Sequence, residues 1–279
     1  MEFDAIAPVA PATATFAGGL ALRPTVPEGS SGRDARSLVP QNPADVLARM
    51  MDFSGSVALA ELLHTPEPAG PAHPDVEQRA RKLREHVYSR FDALLHQSLR
   101  PLTGQRAPRL PTPEELLEAI TLASGEPGRL PEGEAAIRLG RKLGAPLCSA
   151  FGHSLHQAQA HLAGLRAELV PELRALGPRA DRLERIDAAL QRAIQGKLLE
   201  LFDRMQLAAA LTFERACTQA CAALPTPFGT EELASWCGVQ GWLERYRERC
   251  VHTTEALYGH LQRSLEGLLL ASIHAEVVR

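Results

Sequence analysis

A chain of 279 residues with 45% apolar content is long enough to bury a substantial core. Aromatic residues make up only 5%, a composition that favours helices over strands. A formal net charge of −3 excludes a global field that would recruit nucleic acid or an anionic membrane, so any such binding has to be local.

Residues 1–40, rich in Ala, Pro, Gly, Thr and Ser, show no apolar periodicity and are expected to form a disordered tail. The N-terminus carries acidic residues where a secretory signal carries Lys or Arg. No apolar run is long enough to span a bilayer, since the greasiest window, Leu265 to Ile273, is short and contains Glu266. Five cysteines without framework spacing fit reduced thiols. The expectation is a soluble, cytoplasmic protein.

An N-terminal helical region is expected over 42–101. Asn42-Pro43 reads as an N-cap followed by Pro at the first helical position, with a break expected at Ser54-Gly55-Ser56. After a Pro-rich linker over 66–74, a second helix runs from Asp75 to about Leu99. Its stripe is Val76, Ala80, Leu83, Val87, Phe91, Leu94 and Leu95, closed by Pro101. Residues 112–143 read as short helices and loops, opened by the capping sequence Thr112-Pro113-Glu114-Glu115.

An antiparallel three-helix bundle is expected over 145–275. The first long helix carries the seam Leu155, Ala158, Leu162, Leu165, Leu169, Leu173 and Leu176, with Pro171 expected to kink or split it. Gly177-Pro178 turns the chain back. From Arg179 to Ala223 one unbroken helix of about 65 Å is expected, with the stripe Leu183, Ile186, Leu190, Ile194, Leu198, Leu201, Met205 and Ala208. A last helix starts at Thr230, weakened by Gly238 and Gly241. Its seam is Leu243, Tyr246, Cys250, Thr254, Leu257, Leu261, Leu265, Leu268 and Ile273. The fold class is all-α, an elongated antiparallel bundle with an N-terminal helical pair on one end or flank.

Candidate chemistry is sparse. His153, His156 and His161 step by three and five rather than the four that helical metal pairs need, so no metal is assigned. Cys217 and Cys221 read as small core hydrophobes. Phosphate-cradling glycine loops, nucleophile elbows and zinc-protease motifs are all missing, which points away from an enzyme and gives no cofactor. Between Arg79 and Arg109, eight Lys or Arg face only Glu85 and Asp92, a local net charge of +6. Adjacent blocks of opposite sign usually mean a solvated face, here one neutralised by the acidic block Glu114–Glu134; the alternative makes this segment a nucleic-acid surface, with Arg79, Arg81, Lys82, Arg84 and Arg90 as its contacts. Trp236, Trp242 and Tyr246 are the candidate partner anchors, because Trp and Tyr dominate interface hot spots. Core anchoring is their other reading.

Met50-Met51-Asp52-Phe53-Ser54-Gly55-Ser56 with the following apolar run, Leu183 to Leu190, and Trp242-Leu243-Glu244-Arg245-Tyr246-Arg247 with Leu257 to Leu269 resemble a proteobacterial family, domain of unknown function 3348. The resemblance is spread over residues 45–273. It implies a companion of inner-membrane proton-channel pairs, one subunit similar to flagellar and Tol/Exb motors and the other OmpA-like, in a setting similar to Zorya anti-phage defence. On that basis the expected role is a non-catalytic cytoplasmic adaptor docking on a proton-driven motor. Nucleic-acid binding and a self-associating scaffold are the alternatives.

Overall fold

The computed structural model describes residues 53–66 and 75–277. The tail 1–40, the cap expected at Asn42-Pro43 and most of the 66–74 linker lie outside them. Seven helices follow: α1 (Phe53–His64), α2 (Val76–Thr103), α3 (Pro113–Ser124), α4 (Glu134–Arg174), α5 (Pro178–Ala223), α6 (Thr230–Cys237) and α7 (Trp242–Val277). No strand occurs among the described residues, so the fold is all-α.

The helix limits show which punctuation acts. Thr112 closes the expected capping box on α3, its hydroxyl accepting from the Glu115 N–H while the Glu115 carboxylate accepts from the Thr112 N–H. The expected break at Ser54-Gly55-Ser56 does not occur, and α1 runs through it. The expected start of the long helix near Ala145 moves back to Glu134, because Pro146 is absorbed. Both Pro146 and Lys142 face solvent, so the carbonyl that loses its helical donor is not buried. Pro171 is exposed too and lies three residues from the end of α4, so it does not split the helix. The single last helix is divided instead, at Gly238–Gly241. There the backbone folds back until Gly241 lies against the Trp236 carbonyl, an approach that leaves no room for a Cβ.

The bundle has four members rather than three. Helix α2 contributes Val76, Ala80, Leu83, Val87, Phe91 and Leu94 to a core shared with Leu162 to Leu176 of α4, Ala180 of α5 and Leu265 to Leu269 of α7. All seven residues of the α4 seam are buried, each Leu contributing about 1.5–3 kcal/mol relative to exposure. The pair expected on a flank therefore divides, since α2 enters the core while α1 lies on α5. A second core is built around Leu116, Ile120, Leu139, Phe151, Phe202, Phe213, Cys217, Leu233, Trp236 and Leu243. Between the two cores lies a layer of buried hydroxyls. Ser154 donates to the Ser98 carbonyl at 2.8 Å, Ser98 to Leu94 at 2.7 Å, Thr254 to Cys250 at 3.0 Å, and Tyr258 to Phe91 at 2.9 Å.

Side chains lock the hairpin of α4 and α5. Arg174 on α4 pairs with Glu184 at 2.8 Å and Asp181 at 3.3 Å on α5. About two turns away, Arg166 pairs with Asp187, both largely buried. In the second core Gly140 and Gly144 let α4 approach α5. A Cβ at Gly140 would stand 2.9 Å from Glu214 Cα, and one at Gly144 would stand 2.6 Å from the Phe213 ring.

Candidate partner-docking surface

The long helix α5 changes character along its length. From Pro178 to Ile194 only Arg185 and Arg192 are exposed, whereas from Gln195 to Leu201 only Leu198 is not. Helices α4 and α7 approach one side of the first half, through Arg174 with Glu184 and through Glu276, which accepts the Arg179 and Ala180 N–H groups. The other side belongs to α1. Arg182 donates to the Leu63 carbonyl at 3.1 Å, which sets the end of α1 beside the start of α5, and the two run antiparallel. Twelve residues make a helix of about 18 Å, enough to reach Ile194. Burial stops where α1 stops.

The face itself does not stop there. At about 100° per residue, Leu183, Ile186, Ala189, Leu190 and Ala193 share one sector of about 120° with Leu201, Leu207, Ala208 and Leu211 further along. In the first group Ala189 is buried and the others are half-buried, Leu183 against the first core. In the second, Leu201 is 43% exposed, Leu207 61% and Leu211 43%. The core side of the second half lies elsewhere on the helix, at Phe202, Phe213, Cys217 and Cys221. The apolar stripe expected from Leu183 to Ala208 is therefore correct as a stripe but is not the seam of the bundle throughout. By the same count Lys197, Glu200 and Arg204 fall within this sector, where Lys197 pairs with Glu200 at 3.0 Å and Arg204 approaches Glu200 at 3.9 Å, so the exposed leucines are interspersed with charge. Exposed pairs of this kind add little stability.

The candidate aromatic anchors lie elsewhere. Trp236 and Tyr246 are buried and Trp242 is half-buried, and the Phe213 ring lies 5.1 Å from Trp242 and 5.0 Å from Tyr246. Trp236 meets Trp242 at 5.7 Å. Tyr246 donates to the Ala209 carbonyl at 2.6 Å, and burial pushes its hydroxyl pKa far up. These residues tie α6 and α7 to α5 and leave a partner only the half-exposed edge of Trp242. Phe213, the hub of the cluster, carries no sequence signal that distinguishes it from any other aromatic in a helix. Beside it Cys148 and Cys250 are buried, and burial pushes the Cys250 thiol up to about 12.

On α2, Arg79, Arg81, Lys82 and Arg84 are exposed and make no ion pair among the described residues. Arg90 differs, being tied to Glu168 of α4 at 3.2 Å. The expected neutralisation by the acidic block is confined to Arg109 with Glu115, because Glu126 and Glu134 pair with Arg129 and Arg138 of their own block. The three histidines do not converge either. His156 packs on Phe202, His161 meets Ser98 and His153 meets Gln157, and no group of three metal-ligating side chains occurs among the described residues.

Comparison with protein-family models, curated proteins and solved structures finds no match for this chain. No described helix is long and apolar enough to cross a membrane.

Proposed function

We propose that this protein is a non-catalytic helical adaptor that takes an amphipathic helix of a partner protein onto the second half of α5. The observation that carries this reading is the set of exposed leucines on α5, Leu201, Leu207 and Leu211, which lie on the same side of the helix as the covered residues Leu183 to Ala193. The protein already shows, in α1, the kind of element this sector accepts. A partner helix laid in line with α1 would bury three leucines beside the charges of Lys197, Glu200 and Arg204, the helix-in-groove mode of recognition. The resemblance noted above suggests the cytosolic part of a proton-driven inner-membrane motor as that partner, and a cytoplasmic location with it.

The test is purification of the tagged full chain from its host in mild detergent, wild type beside L207E/L211E. Motor subunits retained by the wild type and lost from the variant support the reading, provided circular dichroism of the two is the same. Motor subunits absent from both, or equally present in both, overturn it. Recovery that appears only after deletion of residues 1–52 would make that segment, rather than a partner, the occupant of the face.

A second reading, polyanion binding on α2, has its own observation in the four unpaired cations Arg79, Arg81, Lys82 and Arg84 within six residues.

A further inference from the structure

The end of α2 and the middle of α4 flank an open cleft of about 600 Å³, a volume within the usual range for small-ligand sites. Its polar lining is Gln97 and Arg100 from α2, Arg106 from the connection to α3, and Ser149, His153, Gln157 and His161 from α4. No carboxylate lines it. Nor does either arginine make an ion pair among the described residues, although most other arginines near α4 do. Two uncompensated guanidiniums facing neutral donors or acceptors form a surface for an anion, and a guanidinium matches the oxygens of a phosphate in pairs.

The hydrogen bonds fix how the α4 side is presented. His153, Gln157 and His161 stand four residues apart and share one helix face. The Ser98 hydroxyl spends its single proton on the Leu94 carbonyl, at 2.7 Å. Against His161 Nδ1, at 2.9 Å, it therefore accepts, so Nδ1 carries hydrogen and Nε2 is left over. In the neutral ring that Nε2 takes a proton from a phosphate hydroxyl, and in the charged ring it donates to a phosphate oxygen. Gln157 meets His153 Nε2 at 3.0 Å, while its own Oε1 is buried with no partner. An acceptor left in that state calls for a donor, such as a sugar or alcohol hydroxyl.

The geometry points to a small phosphomonoester as the ligand of this cleft, its phosphate between Arg100, Arg106 and His161 and its hydroxyl-bearing part toward Gln157. This inference rests on different residues from the adaptor reading and stands independently of it.

The test titrates the full chain calorimetrically with inorganic phosphate, a nucleoside 5′-monophosphate, the parent nucleoside and a short single-stranded oligonucleotide. The expected result is that the monophosphate binds at least tenfold more tightly than either inorganic phosphate or the nucleoside. The R100Q/R106Q variant should lose that binding at least tenfold, and R79Q/R81Q should retain it. Both arginine pairs are solvent-exposed, so unchanged circular dichroism is expected for each variant. Equal binding of monophosphate and nucleoside, or binding unchanged in R100Q/R106Q, overturns the proposal. Preference for the oligonucleotide that is lost in R79Q/R81Q also overturns it, in favour of the outer face of α2.

Discussion

Replacing Glu276 should weaken the whole bundle, although the residue lies in the last turn of α7. Its side chain is 5% exposed, and one carboxylate oxygen accepts the N–H of Arg179 at 2.7 Å and of Ala180 at 2.9 Å. Those are two of the donors that every helix start leaves without a partner, and here the cap comes from α7 rather than from the residue before α5. Hydrogen bonds to a charged acceptor are worth about 1.5–3 kcal/mol each. Losing an ordinary N-cap to alanine costs about 0.5–2 kcal/mol, because water replaces it. Ala180 is fully buried, so replacement by water is poor and E276A should fall between the two limits, at about 3 kcal/mol. E276Q keeps an acceptor oxygen and loses only the charge, so about 1 kcal/mol is expected. For a domain of 150–250 residues each kcal/mol moves the melting temperature by about 2–4 °C, which makes E276A about 6–12 °C less stable. Urea unfolding followed by circular dichroism measures both variants. A loss below 1 kcal/mol for E276A would refute the argument that this carboxylate caps α5.

Close packing of α4 on α5 makes G140A destabilising by about 1–3 kcal/mol, because the new methyl meets backbone, which cannot rotate away; in an open helix the same change would gain up to about 1 kcal/mol, so thermal melting distinguishes them by sign. Burial holds the Asp187 carboxyl above its ordinary value, against the opposing pull of Arg166. The folded chain then binds that proton more tightly than the unfolded chain, so this group's contribution is present at acid pH and is lost as pH rises from the unfolded carboxylate value, about 3.9, through the folded one. Urea midpoints of wild type minus D187N should therefore fall across that window, and a rising difference would contradict the assignment. Burial raises the Cys148 and Cys250 thiols, and Cys237 is the one cysteine that is not fully buried. A thiol reagent at pH 8 should modify Cys237 first and the other four only with denaturant, read by mass spectrometry. If α2 binds DNA, removing Arg79, Arg81, Lys82 and Arg84 should flatten the plot of log affinity against log salt by about 3–4, since each phosphate contact contributes about 0.9.

Periodicity made the helices legible, and the α4 seam was readable residue by residue because its apolar positions occupy one narrow stripe. Helix α5 was legible as a helix but not in its orientation. It carries apolar residues on two sectors, and only the arrival of α1 on one and of Phe202, Phe213 and Cys217 in the core on the other decides which is covered. Spacing cannot say this, because both sectors repeat at three and four. Trp236 and Tyr246 could be read from sequence as either anchors or core, and the deciding facts are the Phe213 ring and the Ala209 carbonyl, more than thirty residues away from Tyr246 in one case and equally remote in the other. The cleft was not legible at all. Arg100, Arg106 and His153 belong to separate segments, and what makes them a site is the lack of a carboxylate near them, a property of space rather than of sequence.

The layer of hydroxyls between the two cores has a kinetic consequence. Ser154 donates across to the Ser98 carbonyl and Tyr258 to the Phe91 carbonyl, so α4 and α7 are each hydrogen-bonded to α2 here, while Ser98 and Thr254 close their bonds within their own helices. Cooperative unfolding units follow contiguous apolar packing, so amide exchange should sort into two groups along the same helices. Amides of Leu162 to Leu173 and Leu265 to Leu269 would open together, and those of Leu139 to Phe151 and Leu243 to Cys250 would open separately. A single continuous helix would then carry two different protection levels, with the step between them at the serines.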